Sequence, residues 1–521
     1  MSYQSEHFII FAAVVLLLYY IVGQKRQKYV LLLANIYFFV VSGIKNIPII
    51  LVSMVCSFFA GRKIGAIYSV ADEKLAACQT PAEKKQVWAD AKAQAKKHLL
   101  WAMAVVLGIL VLYKSAVLII GGINTTNSAE PISLPAFLGI SYYTFMAISY
   151  MLDIYWRKAK AEPSFVSYAV FLSYFLHIVQ GPIGRNNAIG PQINAGAKLN
   201  YKNITFGAQL ALWGFFKKMV IADRLGLFVD TVFGNYQAYA GSILLMAGFF
   251  SALRLYCNFS GCMDIVRGIS QMFGITLAKN FDRPFFSKSV VEFWRRWHMT
   301  LGSWFKDYVY MPIAISPKTA KIGQAVKGKF GIHAAKTISV IIPTAIVWLF
   351  TGLWHGTGWN YVAWGIYWGT LIIFSTVFAP KITKLTAFLR VNTTTKSWQL
   401  FQTVRTFLLF VVGHIISSSR SMLDALTFLK KIVFDFRLSS LVDSTLFSLG
   451  LDKINFLLAL LSLLILWGVS MLQNKGSVRE QISTYNIVFR WILYYGLIFA
   501  ILIFGMYGPG FNAGDFVYGN F

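Results

Sequence analysis

The strongest candidate for chemistry in this sequence is a histidine, His355, at the end of an apolar run. Residues 337–353 are almost entirely apolar and lead directly into Trp354, His355 and Gly356. A polar group in such a place is costly in a bilayer and is usually functional. A neutral imidazole there could act as a general base toward a hydroxyl. The alternative is a core histidine hydrogen-bonded between helices, but the glycine and tryptophan neighbours favour the functional interpretation.

A second histidine, His298, follows a segment rich in arginine and tryptophan. A structural or interfacial role is the simpler interpretation of this residue. The cationic strip beside it permits two interpretations: an aromatic and basic anchor on anionic lipid, or a site that binds the phosphates of a cofactor through paired arginine donors. The strip consists of Lys288, Arg295, Arg296 and Lys306, and its aromatic flanks are Trp294, Trp297 and Trp304.

Other kinds of site find little support in the sequence. The G-x-S-x-G pattern of a serine nucleophile is absent. His298 and His355 are far apart and have no carboxylate at metal-ligand spacing, so we expect no metal site. We expect Asp264, near the end of an apolar span, to be a salt-bridge partner. The four cysteines form no paired framework; they are Cys56, Cys78, Cys257 and Cys262.

Composition indicates an integral membrane protein. The chain is 57% hydrophobic and only 13% charged, with a mean hydropathy of +0.59. Long unbroken apolar runs predict an all-α, polytopic fold and exclude a transmembrane barrel. The net charge of +28 does not indicate a nucleic-acid partner, because lysine and arginine are concentrated in short loops between spans, as in cytoplasmic loops of membrane proteins.

The order of apolar and charged segments predicts about eleven transmembrane helices in one membrane domain covering residues 1–521. The basic loop after the first span predicts an extracytoplasmic N-terminus in a cell membrane. Residues 62–97 read as a cytoplasmic insertion of two amphipathic helices that break near Thr80 and Pro81. Four further segments complete the prediction: an outer loop at 121–131, a broken helix at 164–181, a partly interfacial helix at 204–227 and a solvated loop at 318–336.

The motifs of residues 281–369 resemble the signatures of the membrane-bound O-acyltransferase (MBOAT) family. The first consists of Arg283-Pro284-Phe285, Glu292-Phe293-Trp294-Arg295-Arg296-Trp297-His298 and Trp304-Phe305-Lys306-Asp307-Tyr308; the second is Gly352-Leu353-Trp354-His355-Gly356. Within the family the chain resembles the alginate O-acetyltransferase membrane-subunit group, and more distantly the teichoic acid D-alanyl transferases. The C-terminal residues 516–521 share this resemblance.

The resemblance implies a ring of tilted helices with funnels from both membrane faces. It implies catalytic roles for His355 and His298, and binding of an acetyl-CoA donor on the cytoplasmic side by Arg295, Arg296, Trp297 and Lys306. It also implies an extracellular polysaccharide acceptor, reached through a secreted SGNH-type acetyltransferase that works with a polysaccharide synthase complex. Residues expected to line or support the tunnel are Trp294, Trp354, Gly356, Asn360, Asp264 and Asp307.

Two other functions stay open at this stage. A transporter or flippase for a lipid-linked saccharide would use the same cationic strip at its cytoplasmic entrance but would need no general base. A scaffold for an envelope polysaccharide complex would tolerate the loss of both histidines. Acyl transfer by the purified protein separates the enzyme from both.

Overall fold

The computed structural model describes residues 1–126, 137–356 and 358–507, without the side chains of 122 and 124–126. Within these ranges every regular element is helical, which confirms the all-α prediction. The described chain divides into two compact units. One comprises Met1–Ala211 and Ile265–Ala278, and the other Leu212–Asp264 and residues 279–507. The single-domain assignment therefore stays a prediction.

The first unit contains the N-terminal helices and ends within a helix that continues into the second. Its aromatic core forms around Phe8, Phe38 and Phe175, and the buried Asn35 accepts a hydrogen bond from the Phe175 N–H at 3.0 Å. The helices are α1 (Glu6–Ile21), α2 (Gln27–Gly43), α3 (Asn46–Ala77), α4 (Pro81–Thr126), α5 (Ile140–Tyr155), α6 (Phe165–Ser173), α7 (Asn186–Ala195) and α8 (Tyr201–Phe215).

The second unit contains the two histidine motifs. Its helices are α9 (Asp223–Gly234), α10 (Gly241–Met272), whose last turns belong to the first unit, α11 (Val290–Arg296), α12 (Met299–Phe305), α13 (Met311–Ala314), α14 (Pro317–His355), α15 (Trp359–Val377), α16 (Ala379–Phe388), α17 (Lys396–Ser418), α18 (Met422–Phe434), α19 (Lys453–Leu472), α20 (Val478–Ser483) and α21 (Ile487–Phe504).

Seven of the described helices are long and apolar enough to cross a membrane: α3, α4, α10, α14, α17, α19 and α21. The pair α15 and α16 makes an eighth if it is counted as one span bent by 59°. These helices confirm the polytopic prediction. The first predicted span corresponds to a shorter apolar helix, α1, which has 16 residues.

The break predicted at Thr80 and Pro81 is confirmed, and its chemistry is a capping box. The Thr80 hydroxyl accepts the Glu83 N–H at 3.2 Å, while the Glu83 carboxylate accepts the Thr80 N–H at 3.3 Å. The amphipathic helices on either side are not separate, however. Helices α3 and α4 each run without interruption from the apolar span into the charged segment.

The loop predicted at residues 318–336 is wrong, because this segment is helical and forms the beginning of α14. The Ser316 hydroxyl caps it by accepting the Thr319 N–H at 3.2 Å, and Pro317 occupies the first turn. Gly331, with φ of 80°, interrupts the helix before the apolar part. Alanine and lysine favour helix once the start is capped, so high charge alone was a poor guide to a loop.

Three further predictions concern breaks and loops. Helix α6 ends at Ser173, and residues 174–185 are not α-helical, which agrees with the predicted broken helix. The segment expected to be an outer loop begins inside α4, and its residues 127–131 lie outside the described residues. The C-terminal residues 516–521 also lie outside the described residues.

The prediction that residues 204–227 are partly interfacial is wrong for the two lysines of this segment, because both are buried in the protein. Lys217 and Lys218 lie in a π-helical segment, Phe216–Ala222, that separates α8 from α9. Lys218 forms an ion pair of 2.6 Å with Asp223. Pairing with a carboxylate is what allows a charged side chain to be buried, and the sequence did not reveal these partners.

Candidate active site

His298 occupies a sharp turn between two short helices. Helix α11 starts at its cap, Ser289, whose hydroxyl accepts the Glu292 N–H at 3.2 Å. The chain then turns at His298, which has φ of 46° and ψ of 52° and precedes α12. A non-glycine residue in this left-handed conformation costs about 1–3 kcal/mol and is held only by its surroundings. Such strain is concentrated at functional sites.

Asn280 holds this turn. Its side-chain oxygen accepts the Thr300 backbone N–H at 3.1 Å and the Thr300 hydroxyl at 2.9 Å, and its backbone carbonyl accepts the Met299 N–H at 2.9 Å. The same side-chain oxygen is 3.1 Å from Nδ1 of His298. One buried asparagine thus fixes both the backbone of the turn and the ring it presents.

His355 is the last residue of α14, and its ring packs against Trp364 on α15, with 4.7 Å between ring centroids. The two helices approach closely because Gly352 and Gly365 face each other. A Cβ on Gly352 would lie 3.3 Å from the Gly365 Cα and 2.5 Å from the Tyr361 carbonyl oxygen. The absence of side chains at both positions therefore sets the distance between His355 and α15.

The two histidines share one indole. The Trp354 ring is 4.7 Å from the ring of His355 and 6.2 Å from that of His298, measured between centroids.

His298 lies outside the helices of membrane-spanning length. Burial holds the pKa of its imidazole well below its ordinary value, and the nearby His355 acts in the same direction. His298 is therefore neutral at physiological pH.

Aromatic rings surround this pair. Phe259 meets the His298 ring edge-to-face at 4.8 Å. Trp294 packs against three further tryptophans, on α14 and α15, at centroid distances of 4.7 to 5.7 Å: Trp348, Trp364 and Trp368. These rings form an aromatic wall that gives both imidazoles apolar neighbours, while His355 itself stays partly exposed. A neutral imidazole in such a setting can accept a proton from a hydroxyl.

The predicted cationic strip does not behave as a unit. Arg295 is exposed and has no ion pair with another described residue, whereas Arg296 is engaged with Glu292 at 2.6 Å. Lys306 is exposed. Trp297 is 4% exposed and packs against Phe281, with 5.0 Å between ring centroids. The structure thus presents Arg295 and Lys306 to a ligand, while cofactor binding by the strip remains a prediction.

Three residues predicted to support the site have identifiable contacts or positions. Asp264 forms an ion pair of 2.8 Å with Lys217, as the sequence predicts for a salt-bridge partner. Asn360 donates its amide to the carbonyl oxygens of Ser417 and Ser419 at 3.3 and 3.0 Å, which anchors α15 to the end of α17. Asp307 lies in a π-helical segment, Lys306–Tyr310, and is partly exposed.

Three other described features bear on the predictions. His177 is hydrogen-bonded to the Phe171 carbonyl at 2.8 Å, and His414 to the Ser251 hydroxyl at 2.9 Å, as is usual for packing histidines. No cysteine in the described chain is paired. Among the same residues, no cluster of three or more metal-ligating side chains occurs.

Comparison with known proteins decides the family. The sequence profile of the membrane-bound O-acyltransferase family matches residues 155–419, which is half of the chain. The chain belongs to this family. The matched range contains both histidines and Asn280, so the MBOAT region of the chain includes the whole site described above.

Individual relatives of this MBOAT protein extend the comparison. It is 30% identical to a protein named probable alginate O-acetylase AlgI from Pseudomonas syringae pv. tomato, over 63% of this chain and 59% of the relative. It is 27% identical to a peptidoglycan O-acetyltransferase from Helicobacter pylori, over 64% of this chain and 62% of the relative. It is also 27% identical to a teichoic acid D-alanyltransferase from Bacillus subtilis, over 46% of this chain and 59% of the relative. The chain thus spans less than two thirds of each relative's length.

Two features of the MBOAT site were not predicted from the sequence: the role of Asn280 and the identity of the partner of Asp264. Asn280 directly precedes the motif that begins at Phe281, and a polar residue beside a dense motif could have marked it. The buried pair of Lys217 and Asp264 could have been suspected from two charges within apolar frames. Nothing local in the sequence showed that these two residues meet, because 47 positions separate them.

Proposed function

We propose that this protein is a membrane O-acyltransferase that takes an acetyl group from cytoplasmic acetyl-CoA and delivers it for O-acetylation of an extracellular polysaccharide. The observation that carries the proposal is the meeting of His298 and His355 at the Trp354 ring, inside the region that matches the MBOAT family.

The chemistry needs a proton acceptor near the reacting hydroxyl. In the proposed step His355 removes the hydroxyl proton of the acceptor while the oxygen attacks the thioester carbonyl of the donor. A carbon–oxygen bond forms, the carbon–sulfur bond breaks, and the thiolate of coenzyme A leaves and takes up the proton from His355. An acceptor bound against the aromatic wall would displace water from the reacting groups, which would favour transfer over hydrolysis.

The donor is proposed to enter from the cytoplasm. Acetyl-CoA carries several phosphate charges and cannot cross lipid, so it must reach the histidines from the side where cations collect. Arg295 and Lys306 are exposed beside the His298 motif and suit such phosphates. Arg296, already paired with Glu292, would contribute less.

The acceptor side rests on chemical analogy with the relatives. Two of the relatives are named as a probable alginate O-acetylase and a peptidoglycan O-acetyltransferase. We propose by analogy a polysaccharide acceptor, reached through a secreted SGNH-type acetyltransferase working beside a polysaccharide synthase. The protein would then be a multi-pass cell-membrane protein with its N-terminus outside. A D-alanyl group in place of acetyl is the second candidate, supported by the teichoic acid relative.

Reconstitution in lipid vesicles tests the proposal against a transporter of lipid-linked saccharides. The purified protein is given a polysaccharide acceptor with the secreted SGNH-type acetyltransferase, and either acetyl-CoA labelled in the acetyl group or, separately, a D-alanyl thioester. We expect turnover of acetyl-CoA and release of free coenzyme A at a rate set by the protein concentration. Translocation of a lipid-linked saccharide without consumption of either thioester would overturn the proposal in favour of transport.

A further inference from the structure

The side-chain amide of Asn280 has a fixed orientation. This residue is 1% exposed, and one atom of its amide meets the Thr300 backbone N–H at 3.1 Å. A backbone N–H can only donate a hydrogen bond, so the atom that it meets must be the amide oxygen and not the amide nitrogen. A flipped amide would place two donors against each other, which fixes the assignment on chemical grounds.

The fixed oxygen determines which nitrogen of His298 carries a proton. Nδ1 lies 3.1 Å from the Asn280 oxygen, and an oxygen of an amide can only accept. Nδ1 must therefore be the donor, which leaves the lone pair of the neutral ring on Nε2. We propose that Asn280 is a positioning residue that holds His298 as the Nδ1–H tautomer and so makes Nε2 its proton-accepting atom. The consequence for catalysis rests on the proposed acyl transfer, in which Nε2 of His298 would accept a hydrogen bond from the acceptor hydroxyl while His355 takes its proton.

A neutral partner suits this role better than a carboxylate. An aspartate at this position would also accept from Nδ1, but its charge would stabilise the imidazolium and reduce the fraction of neutral base. Among the described residues the titratable group whose charge acts on His298 is His355, and the packed rings of Phe259 and Trp354 are uncharged. Asparagine therefore orients the ring without stabilising its protonated form.

Solid-state ¹⁵N NMR of the full chain in lipid bilayers reads the tautomer directly and does not depend on activity. The seven histidines are labelled in the ring, and His298→Gln identifies the signal of interest. We expect the His298 ring at pH 7.5 to carry its proton on Nδ1 in the wild type. In Asn280→Leu we expect a large share of the Nε2–H form, and a folded variant with an unchanged tautomer overturns the proposal.

Asn280→Asp keeps the test decisive if the leucine variant does not fold. The carboxylate retains the acceptor, so the Nδ1–H tautomer should persist while the midpoint of imidazole ionisation moves to higher pH. A wild-type midpoint in the aspartate variant would mean that the side chain at position 280 does not act on the ring, and would overturn the proposal.

Kinetics supply the functional readout. Asn280→Leu should lower kcat for acetyl transfer by on the order of 10²-fold, the lower range of a proton-transfer contribution, with KM for acetyl-CoA unchanged. Asn280→Asp should restore much of kcat and move the acidic limb of its pH profile upward. If the wild-type protein transfers no acyl group, the proposed function fails, while NMR still decides the tautomer.

Asn35→Leu is the matched control. Asn35 is also 1% exposed, and its bonds go to the Phe175 N–H and to Ser173 and not to a histidine. This variant should lower thermal stability and leave both the tautomer and the pH midpoint unchanged. An equal shift of the midpoint in Asn35→Leu would show that general destabilisation moves it, which would overturn a specific role for Asn280.

Discussion

Gly352 and Gly365 face each other across α14 and α15, so closely that a Cβ on Gly352 would lie 3.3 Å from the Gly365 Cα. His355 ends the first of these helices and packs on Trp364 of the second. Helix spacing and the position of the histidine are thus coupled through two residues that carry no side chain.

Gly352→Ala should therefore damage both stability and activity. The added methyl group would also lie 2.5 Å from the Tyr361 carbonyl oxygen, so α14 and α15 must separate. Overpacking of this kind costs about 1–3 kcal/mol, and a displacement of about 1 Å at a reacting group can cost on the order of 10²-fold in rate. Thermal unfolding in detergent and acetyl-CoA turnover measure the two effects.

Gly468→Ala is the control for the glycine prediction. Gly468 lies within α19, and no atom is within 4 Å of its added Cβ. Alanine favours helix by about 1 kcal/mol over glycine, so this variant should be as stable as the wild type or more so. Full turnover in Gly352→Ala would contradict the proposed coupling of helix spacing to the site.

The ion pair of Lys217 and Asp264 predicts a non-additive mutant cycle. The lysine side chain is 4% exposed and the carboxylate 18%. Lys217→Met removes the lysine partner of the Asp264 carboxylate and should be strongly destabilising, by about 3–5 kcal/mol if the carboxylate stays charged. The double variant with Asp264→Leu should recover most of the lost thermal stability. Additive losses in the double variant would mean that the two residues do not stabilise one another.

Arg295 and Arg296 should respond differently to replacement by lysine. Loss of a bidentate phosphate contact of about 1.4 kcal/mol corresponds to a tenfold change in affinity. Arg295→Lys, at the exposed position, should raise KM for acetyl-CoA by about that factor. Arg296→Lys should change KM less, because its guanidinium already pairs with Glu292. Initial rates in vesicles decide the matter, and an unchanged KM in both variants would leave the arginines as lipid anchors.

Topology can be tested at the exposed residue Ala76, near the end of α3. In a background without the four native cysteines, Ala76→Cys should react with an impermeant thiol reagent only after the cells are lysed. The reason is the predicted cytoplasmic position of residues 62–97. Labelling of intact cells would reverse the predicted orientation.

Much of the fold could be predicted from sequence because its causes are local. Apolar length predicts spans, and the order Thr80, Pro81 and Glu83 predicts a capped helix start. The charge of the segment at 318–336 predicts a loop, but its capping residues and its helix propensity favour the helix that forms. Helices α3 and α4 run past their apolar parts because a helix need not end at the membrane surface.

The two candidate histidines could be predicted from the sequence, but the residues that support them could not. His298 and His355 stand in dense aromatic motifs, which local patterns reveal. Asn280 acts on His298 over a separation of 18 positions, and that contact exists only after the turn at His298 has formed. Gly352 stood within a recognised motif, but its packing against Gly365 depends on how α14 and α15 come together.

The central claim is tested most directly by acetyl-CoA turnover of His355→Ala beside His333→Ala in the purified protein. Both residues are on α14, but His333 is exposed in the basic part of the helix, away from the aromatic wall. The account predicts a loss of at least about 10²-fold in His355→Ala, as expected for removal of a general base, with wild-type turnover in His333→Ala and similar thermal stability in both. Near-wild-type turnover in a folded His355→Ala protein would contradict the account.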